Sequence, residues 1–576
     1  MSPKIVCRTF DKSKLSFSSS VSPLLQQIYA GRGVFSDNEL NHSLNQLYDY
    51  KEIKDIDKAA EIIADTIMTQ GRIVIIGDFD VDGATSCALA ITALRQFNAT
   101  DPRYLVPNRF KYGYGLTPEI VTEAKKFRPD LLITVDNGIS SIEGVEAAHQ
   151  HGIKVVITDH HLPGKEVPRA EAIVNPNQNG CPFPGKNSAG VGVIFYVMCA
   201  VRTILADRGW FNEKRPLPKM ATLLDLVAVG TVADVVSLDK NNRTLVWQGL
   251  QRIHAGFVCM GIYALIKVTK KQIKTLTTSD IAFSLAPRLN AAGRLDDMSI
   301  GIELLLESDL VRAMELAKQL DQLNVERRNI EQSMQAEAIN ELNTLFPDKN
   351  KILPAAFCFY KTSWHQGVSG IISSRIKEKT HRPVITFAQD SNGLIKGSAR
   401  SVPGFHIRDA LAEINTHHPG LLLSYGGHAM AAGLTLKERD FDYFKQLFVA
   451  IATKQLDETL LRAVIVTDGE LNENDLNLST AELLRNSGPW GQHFPEPLFD
   501  GVFKITTQKL LKNKHLKLTL THTKDNKPVD AIFFNADTDC WPNDKIQLAR
   551  VVYQLDINEF KNKKNLQLLV RYIEPA

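Results

Sequence analysis

GRIVIIGDFDVDGATSCALA, residues 71 to 90, is the stretch on which the reading of the chain turns. Ile73 to Ile76 is a short β-branched apolar run, the pattern of a strand buried on both faces. It gives way to Asp78, Asp80 and Asp82, after which Gly83 opens an apolar helical pattern through Leu89 and Leu94. Three carboxylates within five residues repel one another, so clustering them at a strand end costs free energy unless a cation neutralises them. A divalent metal answers that need.

Three readings compete for the cluster. One is a solvated acidic turn. A second is a calcium loop of the EF-hand type, but that needs a bidentate Glu at the twelfth position, where this chain has Leu89, and a helix rather than a strand in front. The third is the strand plus Asp-x-Asp-x-Val of haloacid-dehalogenase-type phosphatases, which Asp78-Phe79-Asp80-Val81 fits. The cluster alone does not separate these readings; the residues after it do.

The strand-end chemistry repeats. Leu131 to Val135 is an apolar run ending in Asp136-Asn137-Gly138, followed by a predicted helix from Ser140 to about His151 that Gly152 stops. Lys154 to Thr158 is a third such strand and ends in Asp159-His160-His161. Alternating strands and helices imply a parallel, doubly wound sheet, and ligands gather at the carboxyl ends of its strands. That places Asp78, Asp80, Asp82, Asp136, Asp159, His160 and His161 along one edge. A lone strand-end Asp is ordinarily a helix cap, but three coincident strand ends ask for more. A further acid, Asp234, follows LLDLVAVGTVADVVSL as far as its Ala233, and also reads as a cap. Carboxylates with one or two histidines suit manganese or magnesium better than zinc. The number of acids suits two divalent ions sharing a carboxylate, roughly 3.5–4 Å apart, the arrangement that supports in-line displacement at phosphorus.

GDFDVDG, VDNG, TDHH and GTVADVVSL, in this order, resemble the four motifs of the DHH phosphoesterase superfamily, named for the triplet found here as Asp159-His160-His161. The haloacid-dehalogenase reading has no use for TDHH. The resemblance runs from about residue 50 to the C-terminus and extends to the bacterial single-strand-specific exonucleases of the superfamily. It implies that Asp80, Asp82, Asp136, His160 and Asp234 hold metal, with Asp136 bridging, and that His161 meets metal or the scissile phosphate. Asp136, His160 and His161 would then be catalytic, with Asp78 and Asp159 behind the ligands. The implied activity is metal-dependent 5′→3′ hydrolysis of single-stranded DNA to 5′-mononucleotides, in recombination and repair.

Other segments fill in the substrate path. PNRFKYGYGLTPEIV, from Pro107, interleaves Arg109 and Lys111 with Tyr112 and Tyr114, which suits a phosphate and a stacked base as well as an ordinary exposed loop. In SLAPRLNAAGRLDD, from Ser284, the resemblance puts Arg288, Asn290 and Arg294 near DNA phosphates; an Arg pair bridging domains is the alternative. Residues 308–346 carry an uninterrupted helical pattern, roughly 55–60 Å long at 1.5 Å per residue, read as a connecting helix rather than a coiled-coil arm. Beyond it, SWHQGVSGIISSRI, KGSARS and YGGHAMAAG match the DHH-associated domain. YGGHAMAAG lacks the Gly-Lys-Ser/Thr ending of a nucleotide-triphosphate loop. The family's substrate-binding role falls on His365, Arg375, Ser398, Arg400, Gly427 and His428, with Gly426-Gly427 allowing close backbone approach to phosphate. From about residue 462 short, evenly spaced strands predict a small barrel. Residues 501–576 hold 13 Lys and Arg against 8 Asp and Glu, so an OB-fold gripping single-stranded DNA is expected. Phe503, Phe533 and Phe534 could be stackers or core, and core is the expectation.

The fold class that results is α/β: a parallel-sheet DHH domain, a long helix, a smaller α/β DHH-associated domain and a C-terminal OB-fold barrel. The expected divisions are an arm over 1–50, then 51–307, 308–346, 347–461 and 462–576. At 576 residues the chain can bury several cores. Its 44% hydrophobic and 23% charged content is ordinary, and a net charge of +3 excludes a global basic field. Seven cysteines without a Cys-x-x-Cys pair, and an MSPKIVCRTF start with no apolar signal core, lead to the expectation of a reducing cytoplasm. Ala189 to Val201 is too short to span a bilayer and reads as a buried helix. Expected partners are single-stranded DNA, a single-strand-binding protein and a helicase, with no membrane and a monomeric chain. Two rivals are a DHH phosphodiesterase for short oligonucleotides or cyclic dinucleotides, and a noncatalytic strand-binding scaffold.

Overall fold

The computed structural model describes residues 2–107, 115–345, 353–390, 393–523, 527–538, 540–560 and 563–576. The chain packs as two compact units, the larger from residues 7–293, 297–320 and 466–576, the smaller from 1–6, 294–296 and 321–465.

The larger unit is built on a five-stranded parallel sheet: β1 (Arg72–Ile76), β2 (Thr100–Leu105), β3 (Leu131–Val135), β4 (Lys154–Thr158) and β5 (Ala172–Val174), in the spatial order β2-β1-β3-β4-β5. All five side chains of the LLITV strand β3 are buried, as apolar runs without alternation require of a sheet covered on both faces. The doubly wound parallel sheet expected from sequence is thus present. β1, β3 and β4 run in one direction and end, in turn, just before the GDFDVDG, Asp136 and Asp159 segments. Helix α1 (Val81–Gln96) follows β1, with Asp80 as its cap, the carboxylate accepting the Gly83 N–H at 3.1 Å.

Two further helices cover the site. α2 (Gly190–Asp207) is the apolar segment expected to be a buried helix; it runs on to Asp207, long and apolar enough to cross a bilayer by length and composition, with 67% of that window buried in the fold. α3 (Leu224–Ala233) ends at Asp234, whose backbone N–H closes the last turn on Gly230 O at 2.9 Å. Helix α4 (Ala286–Leu295) is preceded by a π-turn over Ile281–Leu285, which leaves Phe283 76% exposed.

The same unit contains a closed barrel of β11 (Phe499–Leu511), β12 (His515–His522), β13 (Pro528–Phe533), β14 (Leu548–Phe560) and β15 (Lys563–Pro575), closed by the parallel pairing of β13 with β15. Phe503 is in its core, whereas Phe534 is 53% exposed on the turn after β13. Residues before the sheet pack on the lead-in to this barrel. The Arg32 guanidinium grips Asp468 with bonds of 2.7 and 2.9 Å, and Tyr29 stacks on both Trp490 and Phe494.

The smaller unit has a mixed sheet of β6 (Phe357–Tyr360), β7 (Val384–Gln389), β8 (Leu394–Arg400), β9 (Ser424–Gly427) and β10 (Ala431–Lys437), in the order β9-β10-β8-β7-β6. The connecting helix α5 (Leu310–Leu345) has 36 residues, about 54 Å at the α-helical rise. Its first residues bury Ala313, Leu316, Ala317 and Leu320 in the larger unit, and Met334, Ala338 and Leu342 belong to a core of the smaller one. Between these stretches the stripe turns polar, with Asn324, Arg327 and Glu331 buried and Arg327 paired to Glu331 at 3.0 Å. That interruption is not a coiled-coil seam.

Candidate metal centre and substrate-binding residues

The three strand ends bring their acids together. Asp82, in the first turn of α1, is 1% exposed, and its two carboxylate oxygens accept the Gly190 and Val191 N–H groups at 2.6 and 2.8 Å. These are two of the four donors a helix N-terminus leaves unsatisfied, here the start of α2. Asp136 lies in the left-handed region at φ +62°, which few residues other than Gly and Asn adopt readily. Its turn is held by the Asp136 N–H to Thr158 O bond at 3.0 Å and by the Asn137 amide, which donates to Ile76 O and Val135 O. His160 Nε2 stands 3.0 Å from Asp136, 3.6 Å from Asp234 and 3.8 Å from Asp82.

Asp159 faces the other way. Its carboxylate accepts the N–H groups of Ile139, His160 and His161 and bonds His161 Nδ1 at 2.7 Å, so it orients the histidine pair. Asn175 and Asn177 donate to the carbonyls of His161 and His160. Three overlapping groups offer ligand atoms within 4.8 Å of one another: Asp136, His160 and His161; Asp82, His160 and Asp234; and Asp78, Asp80 and Asp136. Asp78, expected behind the ligands, stands in the last of these groups.

The electrostatics show how strongly the acids of the cluster act on one another. Burial, then the neighbouring acids, pushes the Asp82 and Asp136 carboxyls well above the usual range. Asp234 is pushed up to about 7 by burial and then by Asp80. Burial opposes ionisation of Asp159 as well, but its bond to His161 and the charge of both histidines hold it below the usual range. Burial disfavours the charged form of His161, yet the bond to Asp159 raises it to about 9. Acids that suppress one another's ionisation around one imidazole are a hard, oxygen-rich donor set, and they fit divalent manganese or magnesium.

A pH dependence follows. A carboxyl whose folded-state pKa lies above its unfolded value holds its proton longer in the fold, so Asp234 costs the metal-free protein stability increasingly as pH rises from about 4 through about 7. A bound cation removes that penalty. Saturating Mn2+ is therefore expected to raise Tm more at pH 8 than at pH 5.5, by at least about 2 °C. Equal shifts in a calorimetric scan at both pH values would show that the acids are already ionised without metal.

The substrate-side residues are less uniform. Arg109 and Tyr114 lie outside the described residues. Arg288 donates to Ser284 O across the π-turn, and Asn290 is half-buried on α4. Arg294 donates to Gly367 O at 3.2 Å, and His365 caps helix α6 (Gln366–Thr380) by accepting the Gly367 N–H. Arg375 is engaged by Glu331 at 3.1 Å and Glu378 at 3.4 Å. Arg400 differs: burial lowers its pKa, and among the described residues its guanidinium bonds the Ala399 carbonyl rather than an acid. Ser398 and Arg400 on β8 sit over Gly370 of α6. β10 joins that strand to β9, where Gly427 has φ +136° and a Cβ would press on Ala432 and the Ala431 carbonyl. His428 donates its backbone N–H to Ala431 O at 2.8 Å. One sheet thus gathers Ser398, Arg400, Gly427 and His428, while Arg375 is held in an ion-pair network. The backbone grip of Gly190 and Val191 on Asp82, and the Asn137, Asn175 and Asn177 braces, were not legible; the sequence around Gly190 signals only an apolar helix.

Acids and histidines at the ends of three parallel strands define a DHH phosphoesterase, and the model of the DHH family N-terminal domain matches residues 72–231. The DHHA1 domain model matches 352–454 and the RecJ OB domain model 467–572. The chain is 51% identical to the single-stranded-DNA-specific exonuclease RecJ of Dickeya dadantii, over 96% of each chain. It is 49% identical to that of Escherichia coli over 97% of this chain and 96% of the relative. The crystal structure of Thermus thermophilus RecJ in complex with Mn2+ is similar over 100% of this chain and 80% of its own, with TM-score 0.81 and 27% identity. The chain belongs to the RecJ family of single-stranded-DNA-specific exonucleases.

Proposed function

We propose that this chain hydrolyses single-stranded DNA from its 5′ end, releasing 5′-mononucleotides, in DNA recombination and repair. The observation that carries this reading is the trio of overlapping ligand groups, two of acids with histidine and one of acids alone, gathered at the strand ends and the Asp234 helix end. Asp80, Asp82, Asp136, His160 and Asp234 would hold two divalent ions, with Asp136 offering its carboxylate to the His160 side and to the Asp78–Asp80 side of the cluster. When bound, the ions supply an activated water and neutralise charge developing at the scissile phosphate. Asp159 keeps His161 cationic at neutral pH, and His161 then holds a phosphate oxygen beside Asp136. Asp78 backs the Asp80–Asp136 group.

The remaining parts divide the handling of the strand. Residues 51–307 carry hydrolysis, 347–461 bind the reacting end, and 462–576 grip the strand behind it. Ser398, Arg400, Gly427 and His428, with His365, Arg288, Asn290, Arg294, Arg109 and Tyr114, contact the sugar–phosphate chain; Arg375 supports this surface through Glu331. The chain works as a cytoplasmic monomer alongside a single-strand-binding protein and a helicase. The test is digestion of single-stranded oligomers labelled at either end, with Mn2+, Mg2+ or chelator. Early release of mononucleotide from the 5′ label, abolished by chelator, is expected. Release from the 3′ label first would reverse the polarity, cleavage confined to very short oligomers would favour a small-substrate phosphodiesterase, and binding without hydrolysis a scaffold.

A further inference from the structure

The segment after Asp234 is poorly made for holding a ligand in place. Val235 has φ +62°, a left-handed conformation that a β-branched residue adopts only when its surroundings impose it, and its side chain is 61% exposed. The Val235 side chain thus adds little packing to the turn. The bonds that hold it lie two and three residues on. Asn242 Nδ2 donates to Ser237 O at 2.8 Å, and Arg243 Nη1 to Leu238 O at 3.0 Å. The other two bonds come from far along the chain. The Leu238 N–H donates to Gln492 O at 2.9 Å, and Ser237 Oγ is hydrogen-bonded to His493 Nδ1.

Gln492 and His493 belong to a tight loop that leads into the barrel, closed by Gly491 and Phe494 exchanging backbone bonds of 2.8 and 3.1 Å. The loop is itself anchored. Trp490 and Phe494 stack at 5.2 Å, Tyr29 stacks on both, the Arg243 guanidinium lies 4.5 Å from the Phe494 ring, and Thr278 donates to Trp490 O at 2.6 Å. One side of the loop is thus fixed to the body of the larger unit, and the other reaches the turn that carries Asp234.

We infer that this loop is a brace for the metal centre and that His493 is a positioning residue, acting through Ser237 to hold the Asp234 carboxylate in place for a divalent cation. The inference rests on the reading of Asp234 as a metal ligand. Groups that orient ligands from behind typically change metal affinity by about 10–100-fold when removed, and His493 does so from the barrel's side of the chain rather than from the sheet that carries the ligands.

The test is Mn2+ binding to the full-length, metal-free protein, read from the electron paramagnetic resonance signal of free Mn2+, with Tm measured in parallel. His493→Gly removes the side chain and suits the loop's own left-handed φ of +57°. Ser237→Ala removes the other end of the same bond. His493→Asn keeps a polar atom close to the Nδ1 position and tolerates positive φ. His493→Gly and Ser237→Ala are expected to weaken Mn2+ binding by about 10-fold or more, and His493→Asn to restore it. A lowered Tm with unchanged Mn2+ affinity in both would make the bond merely structural and overturn the inference. Should His493→Gly not fold, Ser237→Ala decides alone. Asp234→Asn separates the two levels: if it leaves Mn2+ affinity intact, the ligand assignment fails rather than the brace.

Discussion

Replacing Asp136 is expected to abolish hydrolysis of single-stranded DNA and to leave most of the strand affinity in place. Asp136 stands in two of the three ligand groups, one with the histidines and one of acids alone, and is 3.0 Å from His160 Nε2, so its loss should disable both sides of the centre together. Removal of a single electrostatic contact in an active site commonly costs 10²–10³-fold in rate, about 10³-fold at the upper end, and a shared ligand should cost more. Asparagine is a cleaner replacement than alanine, because it accepts the left-handed backbone at φ +62° and keeps the side-chain volume. Initial rates on 5′-labelled oligomers, with binding measured by fluorescence anisotropy in chelator, give the two halves of the result. A fully active Asp136→Asn or Asp136→Ala enzyme would sink the site assignment.

The second large effect is expected at a residue with no chemistry of its own. A Cβ on Gly190 would sit 2.6 Å from Asp136 Cβ and 2.7 Å from its Oδ1, both inside contact distance. The same residue's N–H holds Asp82 at 2.6 Å. Gly190→Ala must therefore move either the start of α2 or Asp136, and each movement displaces a proposed ligand. Overpacking of this kind costs about 1–3 kcal/mol of stability, and the displaced geometry should lower the rate by about 10²-fold. Gly192→Ala is the control. Two residues along the same helix, its nearest neighbour would be Ser188 Cβ at 3.9 Å, an ordinary contact, and alanine favours the helix. Loss of activity in Gly190→Ala with Gly192→Ala unaffected is the expected pair; two active variants would show that α2 does not support the acids.

Where the chemistry is dense in contiguous residues, it was legible in the sequence. β1, β3 and β4 are apolar runs that end in acids, so strand direction alone brings Asp82, Asp136 and His160 to one edge. What escaped depends on partners distant in the chain. Asp82 is held by backbone donors 108 and 109 residues away, which no local pattern marks. Arg375 resembles a free cation in sequence, but α5 places Glu331 beside it. Phe503 and Phe534 are indistinguishable as letters; the pleat of β11 turns one into the barrel, and the turn after β13 leaves the other in solvent. The π-turn before α4 has no sequence signature in its apolar letters either.

The bond between Arg32 and Asp468 spans 436 residues, with the Arg32 side chain fully buried. A ribosome adding 5–20 residues per second needs on the order of 20–90 s to make the second partner after the first. Throughout that interval the nascent chain carries a guanidinium whose burial no acid yet compensates, and Tyr29 waits for Trp490 and Phe494 in the same way. The larger unit therefore cannot be completed until residues 466–576 are made, after the intervening residues 321–465 have emerged. A chain that stops before residue 468 has neither the acid that neutralises the buried Arg32 nor the rings on which Tyr29 stacks.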